Sequence, residues 1–182
     1  GRAFKINPKS NPERYFNNMV LALTYNQKVF GQMPEAVLDP TSYFSNEKNW
    51  IGMIGFSKQK FYQDKFVFNY NITEDIPYGE NIALIVGHQE KNSNSRLYTG
   101  LSVSFGRKYS FGYASGFAEW GSFYDAGLTE QTTFKLGLNY FSPLISWGNW
   151  RFRQFVKPTY VWGNNRDDSF KDRLTLLDED GL

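Results

Sequence analysis

The chain has 182 residues, a formal net charge of +2, one His and no Cys. The small net charge gives no electrostatic reason to expect a nucleic-acid partner, and the absence of Cys excludes disulfides, zinc–thiolate sites and cysteine nucleophiles. Aromatic residues make up 19% of the chain and 16 residues are Gly, a combination that favours strands over helices.

Hydropathy does not separate a soluble β-protein from a membrane one here. No apolar run reaches the roughly 20 residues that a membrane helix needs. The mean hydropathy of −0.53 is typical of a soluble protein, but the alternating strands of a membrane barrel give an equally low average.

The two ends are interpreted as those of a fragment of a longer protein. Residues 1–14 are polar, contain Pro8 and Pro12, and are predicted to be a linker or the tail of a preceding domain. Residues 15–182 are predicted to be a β-barrel segment that is truncated at its C-terminal end, because the closing "LTLLDEDGL" has the character of a loop.

Eight segments with strand-like apolar patterns follow one another in chain order. They cover residues 18–26, 49–57, 65–72, 81–89, 96–106, 110–120, 132–141 and 151–163. No segment shows a helical period with capping residues. Most segments exceed the roughly 5–6 residues of an average soluble strand and come close to the roughly 9–11 of a transmembrane strand.

Two of these segments carry local predictions. In 65–72, Phe66, Phe68, Tyr70 and Ile72 alternate with Asn69 and Asn71, and the following "TEDIPYGE" (73–80) is predicted to be a turn. In 110–120, large aromatic residues alternate with small ones: Phe111, Tyr113 and Phe117 lie on one side, and Gly112, Ala114, Gly116 and Ala118 on the other. A bulge after Phe117 would keep Glu119 off the apolar side. With short connections throughout, the segments predict an all-β fold, an antiparallel up-and-down meander that is a transmembrane β-barrel or part of one.

The stretch "TTFKLGLNYF" (132–141) decides which side faces water. Large apolar residues alternate there with a Lys, a Gly and an Asn, and in the other strands the polar side is mostly Gly, Ala, Ser, Thr and Asn. A soluble barrel would instead have an outer face rich in Lys, Glu and Asp, whereas small polar residues suit a confined, wet interior. Aromatic residues near the predicted strand ends agree with a membrane interface; they are Trp50, Tyr62, Tyr78, Tyr109, Trp120, Trp147, Trp150 and Trp162.

The segment 151–163 places three cations on one side. Cations in the lipid midplane cost about 2–4 kcal/mol each, so this side is predicted to face the lumen, and Pro158 predicts a bulge or a weakened pair. The predicted lumen-lining residues are Asn69, Asn71, Lys135, Asn139, Arg151, Arg153 and Lys157. The predicted lipid-facing residues are Phe134, Leu136, Leu138, Tyr140, Phe152, Val156 and Tyr160.

Three short motifs carry a family resemblance. "YNITEDIPYG" (70–79), "LNYFSPLISWGNWRFRQFVKP" (138–158) and "LTLLDEDGL" (174–182) resemble the barrel region of outer-membrane proteins from Bacteroidetes-type bacteria, some of which are similar to the Omp85 assembly and secretion superfamily. The resemblance implies a location in the bacterial outer membrane. The chain has neither the Arg-Gly-aromatic motif of Omp85 barrels nor a POTRA domain.

The sequence therefore predicts a non-enzymatic translocation, assembly or transport barrel. Its expected partners are membrane lipid and either a translocated polypeptide or periplasmic domains of the same protein, with no nucleic acid, metal or cofactor. Two alternatives stay open: an outer-membrane lipid hydrolase that uses His88 with the nearby "NSNSR" (92–96), and a soluble β-barrel that binds a hydrophobic ligand.

Overall fold

The computed structural model describes residues 1–5, 16–35, 37–39, 44–69, 71–91 and 94–165. All regular structure in these ranges is β. The strands are β1 (Arg2–Lys5), β2 (Phe16–Lys28), β3 (Glu47–Lys65), β4 (Thr73–Lys91), β5 (Asn94–Tyr109), β6 (Gly112–Asp125), β7 (Leu128–Phe141), β8 (Ile145–Trp147), β9 (Trp150–Phe152), β10 (Phe155–Val156) and β11 (Thr159–Asn164).

Each strand from β1 to β6 pairs antiparallel with the next strand in the chain. Both β10 and β11 pair with β7, and β8 and β9 form a separate hairpin. The predicted all-β antiparallel meander is confirmed. β3 and β4 have 19 residues each, which is longer than their segments in the sequence pattern. In the described part of the chain, no helix is long and apolar enough to cross a membrane.

The sheet has two chemically different faces. Successive side chains of a strand point to opposite faces, and ladder partners share a face. We call the face that carries Leu136 the outer face and the face that carries Asn139 the inner wall. A cavity of about 280 Å³ has a lining that runs from Gln59 on β3 to Thr159 on β11. Tyr113 on β6 and Phe141 on β7, which have the parity of the inner wall, pack with Ile76 on β4 and Tyr62 on β3. The sheet is therefore curved, with the inner wall on its concave side.

The region around residues 65–80 corrects the sequence interpretation. The described residues between β3 and β4, namely 66–69, 71 and 72, form a turn, and the predicted turn 73–80 is instead the first part of β4. Asn69 and Asn71, predicted to line the lumen, therefore lie exposed in this turn, and Tyr70 lies outside the described residues. The Glu74 carboxylate stabilises this turn, because it accepts hydrogen bonds from the backbone N–H groups of Val67 (3.2 Å) and Phe68 (2.8 Å).

The alternation in 65–72 arises in a turn, where backbone conformations break the strand. Phe66 and Asn71 have positive φ angles of 58° and 57°, which a strand does not contain. Pro77 is tolerated in β4 because at this level the strand pairs with β3 (Phe61 opposite Pro77) and its ladder with β5 begins only at Gly79.

The predicted strand 151–163 is divided into β9, β10 and β11. Phe155 pairs with Phe141, and Thr159 pairs with Gly137, so the register on β7 is the same on both sides of Pro158. The carbonyl of Pro158 still accepts a hydrogen bond from the Leu138 N–H at 3.0 Å. The weakened pair predicted at Pro158 is confirmed, and its cause is the N–H group that proline lacks.

On β6 the predicted faces are reversed. Phe117 pairs with Gly137 and lies on the inner wall, as do Tyr113 and Glu119, while Ala118 pairs with Leu136 on the outer face. The ladder irregularity in β6 lies at Phe123 and Tyr124 rather than after Phe117. The large rings point inward here because glycines on neighbouring strands leave room for them.

The N-terminal stretch is partly strand. Arg2–Lys5 forms β1, which pairs with β2 from Leu21 to Asn18. Residues 1–14 are predicted from the sequence to be a linker or the tail of a preceding domain, and residues 6 to 14 lie outside the described residues, as does the closing motif 174–182.

Candidate functional site

The outer face carries a continuous apolar surface, which we call the outer belt. Two ladder rows cross seven strands without a charged residue. The first row is Leu21, Ile54, Leu84, Leu101, Trp120, Phe134 and Trp162. The second row is Met19, Phe56, Ile82, Val103, Ala118, Leu136 and Tyr160. Most of these side chains are exposed, for example Leu84 at 50% and Ile82 at 48%.

Charged and aromatic residues bound the outer belt on β3 and β4. Toward the 66–72 turn, Lys58 is the ladder partner of Glu80, whose carboxylate lies 3.4 Å from Arg107. At the opposite end, the Trp50 ring lies 5.7 Å from the His88 ring, and one row further Lys48 lies 3.7 Å from Glu90. From Trp50 to Lys58 the belt extends about 26 Å along the strand, close to the roughly 25 Å apolar band of membrane barrels.

The outer belt also shifts along the strands as it crosses the sheet. On β3 the outward residues between Lys48 and Lys58 are uncharged. On β7 the belt begins only after Thr132, whose ladder partner is Ser122. It continues to Tyr140, which lies in the same ladder row as Ala114 and Arg107. A belt that is level in a membrane shifts in this way when the strands are tilted.

The inner wall has small or polar side chains where the outer face has large apolar ones. One of its rows, from β2 to β11, is Asn18, Ser57, Asn81, Ser104, Phe117, Gly137 and Thr159. Asn81 donates a hydrogen bond to the Ser104 hydroxyl at 3.1 Å.

Rings on the inner wall lie over glycines. A Cβ at Gly137 would overlap the Phe117 ring, and a Cβ at Gly100 would come within 3.0 Å of the Tyr98 hydroxyl. These rings fill the space that a side chain would take, so the glycines allow large aromatic residues to lie flat against the concave side.

Several charged groups of the inner wall are matched. Arg96 lies 2.9 Å from Glu130, and Glu119 is the ladder partner of Lys135. Lys157 lies between two pairs of the β7 register, opposite Asn139, and both residues line the 280 Å³ cavity. The predicted inward orientation of Lys135, Asn139 and Lys157 therefore agrees with the ladder.

One end of the concave side is closed by a compact aromatic cluster. It consists of Val67, Ile76, Tyr113 and Phe141, the only buried hydrophobic side chains among the described residues, with Tyr62 and Tyr78 packed against them. The Tyr113 hydroxyl donates to the Pro77 carbonyl at 2.7 Å. Burial raises the pKa of Tyr62, which lies beyond the outer belt, to about 12, and the nearby Asp64 carboxylate acts in the same direction.

Arg153 closes this cluster from the β9–β10 connection. Its guanidinium lies 5.1 Å from the Phe141 ring and donates to Asp64 at 3.3 Å and to the Lys65 carbonyl at 3.2 Å. Its side chain is 4% exposed. The sequence pattern indicated the inward direction of Arg153 but not its partner, because Asp64 is distant in the chain and lies outside any predicted pattern.

Two predicted site residues lie elsewhere. Arg151 and Phe152 belong to the β8–β9 hairpin and not to the main sheet. In this hairpin the Arg151 guanidinium lies 5.3 Å from the Phe66 ring, and the Phe152 ring stacks on the Trp150 ring. Of the aromatic residues predicted near strand ends, Trp120 and Trp162 lie in the middle of the outer belt.

His88 has one hydroxyl neighbour. Its Nε2 lies 3.2 Å from the Ser95 hydroxyl and 3.8 Å from Glu90, on the exposed outer face. A catalytic triad needs the orienting acid or amide on the second ring nitrogen, and in the described ranges neither Asn nor a carboxylate contacts Nδ1. The described residues also contain no group of three or more His, Cys, Asp or Glu side chains arranged to hold a metal ion.

The chain was compared with known proteins. No protein-family model, curated protein or solved structure matches it.

Proposed function

We propose that the chain is part of a transmembrane β-barrel of the bacterial outer membrane that serves translocation, assembly or transport and has no catalytic activity of its own. The outer belt is the observation that carries this proposal. It measures about 26 Å by about 29 Å, which exceeds the roughly 300–600 Å² apolar patches of soluble monomers.

The distribution of burial supports the same conclusion. The described residues bury four hydrophobic side chains, whereas most of the large apolar side chains in the two ladder rows of the outer belt are exposed. A soluble barrel that binds a hydrophobic ligand would have the opposite arrangement, with the apolar face on the concave side. The inner wall, with its amides, hydroxyls and matched charges, suits a water-filled lumen.

The proposal has a structural requirement. Backbone N–H and C=O groups in lipid must all be paired, and among the described strands β1 lies at one end of the strand order while β10 and β11 lie at the other. These edges must be paired in the membrane. The resemblance to Bacteroidetes-type outer-membrane barrels, with its weaker link to Omp85, agrees with a location in the outer membrane.

A quenching experiment tests the orientation. Because the chain has no Cys, a single introduced Cys carries one fluorophore without background. Labels at Leu136→Cys and Ile82→Cys should be quenched by lipid-attached nitroxide, and the matched labels at Asn139→Cys and Ser104→Cys should be quenched by an aqueous reagent. Lipid quenching at the second pair and not the first would reverse the faces and end the proposal.

The contact between His88 and Ser95 keeps a lipid hydrolase as the second candidate. Its test is phospholipase activity of the folded protein against His88→Ala and Ser95→Ala. We expect no activity above background in any of the three proteins. Hydrolysis by the native chain that both substitutions abolish would make the hydrolase the better assignment.

A further inference from the structure

The cavity of about 280 Å³ on the concave side has the size and shape of a ligand pocket. Six strands, β3 to β7 and β11, contribute to its lining. The aromatic cluster closes it at one end, because Tyr78 and Tyr113 belong to the cluster and also line the cavity. Its volume equals that of roughly nine water molecules, which suits a ligand the size of one monosaccharide.

The polar side chains of this pocket are amides and hydroxyls. They are Gln59, Asn81, Asn139, Ser104, Ser115 and Thr159. Asn81 and Ser104 are hydrogen-bonded to each other at 3.1 Å. The side chains of Gln59, Ser115 and Asn139 have no hydrogen-bond partner in the part of the chain that the structure describes, so their polar groups are available to a ligand.

These side chains suit a ligand with several hydroxyl groups. An amide or a hydroxyl side chain both donates and accepts hydrogen bonds, and a ligand hydroxyl satisfies both functions. A sulfate ion only accepts, so it would supply no donor to the carbonyl oxygens of Gln59 and Asn139. The rings of Phe117 and Tyr113 add apolar surface to the same lining, against which the C–H groups of a sugar ring can pack.

One cation of the inner wall is also available. The described residues that line the pocket include Lys58 and Lys157 but no carboxylate. Lys58 lies on the outer face, where its ladder partner is Glu80. Lys157 lies on the inner wall opposite Asn139, and among the described residues it has no ion-pair partner. Its ammonium can therefore form a charge-assisted hydrogen bond with a carboxylate of the ligand.

We infer that this pocket binds a small sugar acid, whose carboxylate pairs with Lys157 and whose hydroxyl groups bond to the amides of Gln59 and Asn139. The inference rests on the proposed function, because a transport barrel exposes its inner wall to solutes in the lumen. It deepens that proposal by naming a class of solute. Since the aromatic cluster closes one end of the pocket, the solute enters from the opposite end of the inner wall.

Sugar binding to the full chain tests the inference. The protein is folded in a polyoxyethylene detergent, which carries no sugar, and ligand-observed NMR compares glucuronate with glucose and galacturonate with galactose. We expect at least one of the two sugar acids to bind about tenfold more tightly than its neutral sugar. An equimolar amount of inorganic sulfate should not displace it.

Two substitutions probe the charge at the pocket. Lys157→Gln should lower the affinity for the sugar acid to that for the neutral sugar. Asn139→Asp places a carboxylate opposite Lys157 and should remove the same preference; it replaces Lys157→Gln if that variant does not fold. Lys28→Gln is the matched control, because Lys28 has the parity of the inner wall but lies at its other end, outside the lining, and it should keep the native affinities.

Three outcomes would overturn the inference: sugar acids that bind no better than neutral sugars, equal losses in Lys157→Gln and Lys28→Gln, or displacement by equimolar sulfate, which would indicate a site for any anion. The label at Asn139→Cys separates this inference from the proposed function. A label in water without sugar-acid binding rejects only the inference, whereas a label in lipid rejects the proposed orientation of the barrel.

Discussion

The guanidinium of Arg153 lies 3.3 Å from the carboxylate of Asp64, a contact between residues 89 positions apart in the chain. It joins the connection that follows β9 to the end of β3 and covers the aromatic cluster at one end of the concave side. The Nε atom of Arg153 is buried and has no hydrogen-bond partner among the described residues, so the Asp64 carboxylate is the main compensation for this buried charge.

Removing that carboxylate should destabilise the fold. We expect Asp64→Asn to lower the free energy of unfolding by about 2–4 kcal/mol, because a nearly buried cation loses its counter-ion. Denaturant unfolding in detergent, followed by Trp fluorescence, measures the change. The control is Lys48→Gln, whose pair with Glu90 is about half exposed and should contribute no more than about 1 kcal/mol. Equal effects of the two substitutions would show that the Arg153 contact is not a stabilising one.

Gly79 should tolerate no side chain. Its φ is +144° and an added Cβ would collide with the Lys58 carbonyl oxygen, so Gly79→Ala should cost about 1–3 kcal/mol of stability. Gly52→Ala is the matched control within the sheet, because the nearest atom to its Cβ would be the Val86 carbonyl oxygen at 3.7 Å. Thermal unfolding of the two variants compares them, and similar melting temperatures would contradict the close approach at Gly79.

The turn between β3 and β4 should open in acid. The Glu74 carboxylate accepts hydrogen bonds from the backbone N–H groups of Phe68, Asn69 and Val67 and from the side-chain amide of Asn69. The Phe68 bond is the largest of these contributions, and together they lower the pKa of Glu74 below 4.5. A carboxyl whose pKa is lowered on folding contributes stability above its unfolded pKa, and that contribution is lost as pH falls through the folded pKa. As pH falls through this lowered pKa, the protection factors for amide hydrogen exchange at Val67 and Phe68 should therefore decrease more than those at amides of the central strands.

Glu74→Gln provides the control for this pH dependence. The amide cannot ionise, so protection at Val67 and Phe68 should be lower than in the native chain at neutral pH and should not fall further relative to the central strands in acid. A variant that keeps the native pH profile would assign the opening to another group.

The division of 151–163 into three strands makes a separate prediction on accessibility. Single labels at Val156→Cys and Lys157→Cys in the reconstituted protein should report lipid and water respectively, because Val156 pairs with Tyr140 on the outer face. A label at Phe152→Cys should report water or the interface, since Phe152 lies in the β8–β9 hairpin. Deep lipid quenching at 152 would mean that the sequence pattern, and not the hairpin, describes this segment in the membrane.

The sequence alone was sufficient to assign the two faces of a strand wherever the alternation was long and the side chains on the two faces differed strongly in polarity. In β7, Phe134, Leu136 and Leu138 alternate with Lys135 and Gly137, and the ladder assigns the same two faces. The physical reason is that a strand has a fixed period of two, so a run of ten residues with consistent chemistry leaves one arrangement.

Only the tertiary structure decided the remaining features, because each depends on groups distant in the chain or on one local backbone angle. The described residues after Lys65 in the predicted strand 65–72 form a turn, which contains two positive φ angles and hydrogen bonds to the Glu74 carboxylate. Phe117 turned inward because Gly137, on the next strand, leaves space for its ring. Arg153 contacts Asp64 because the curvature of the sheet brings β3 close to the segment after β7. This curvature depends on the twist and pairing of all strands, so no single segment of the sequence encodes it.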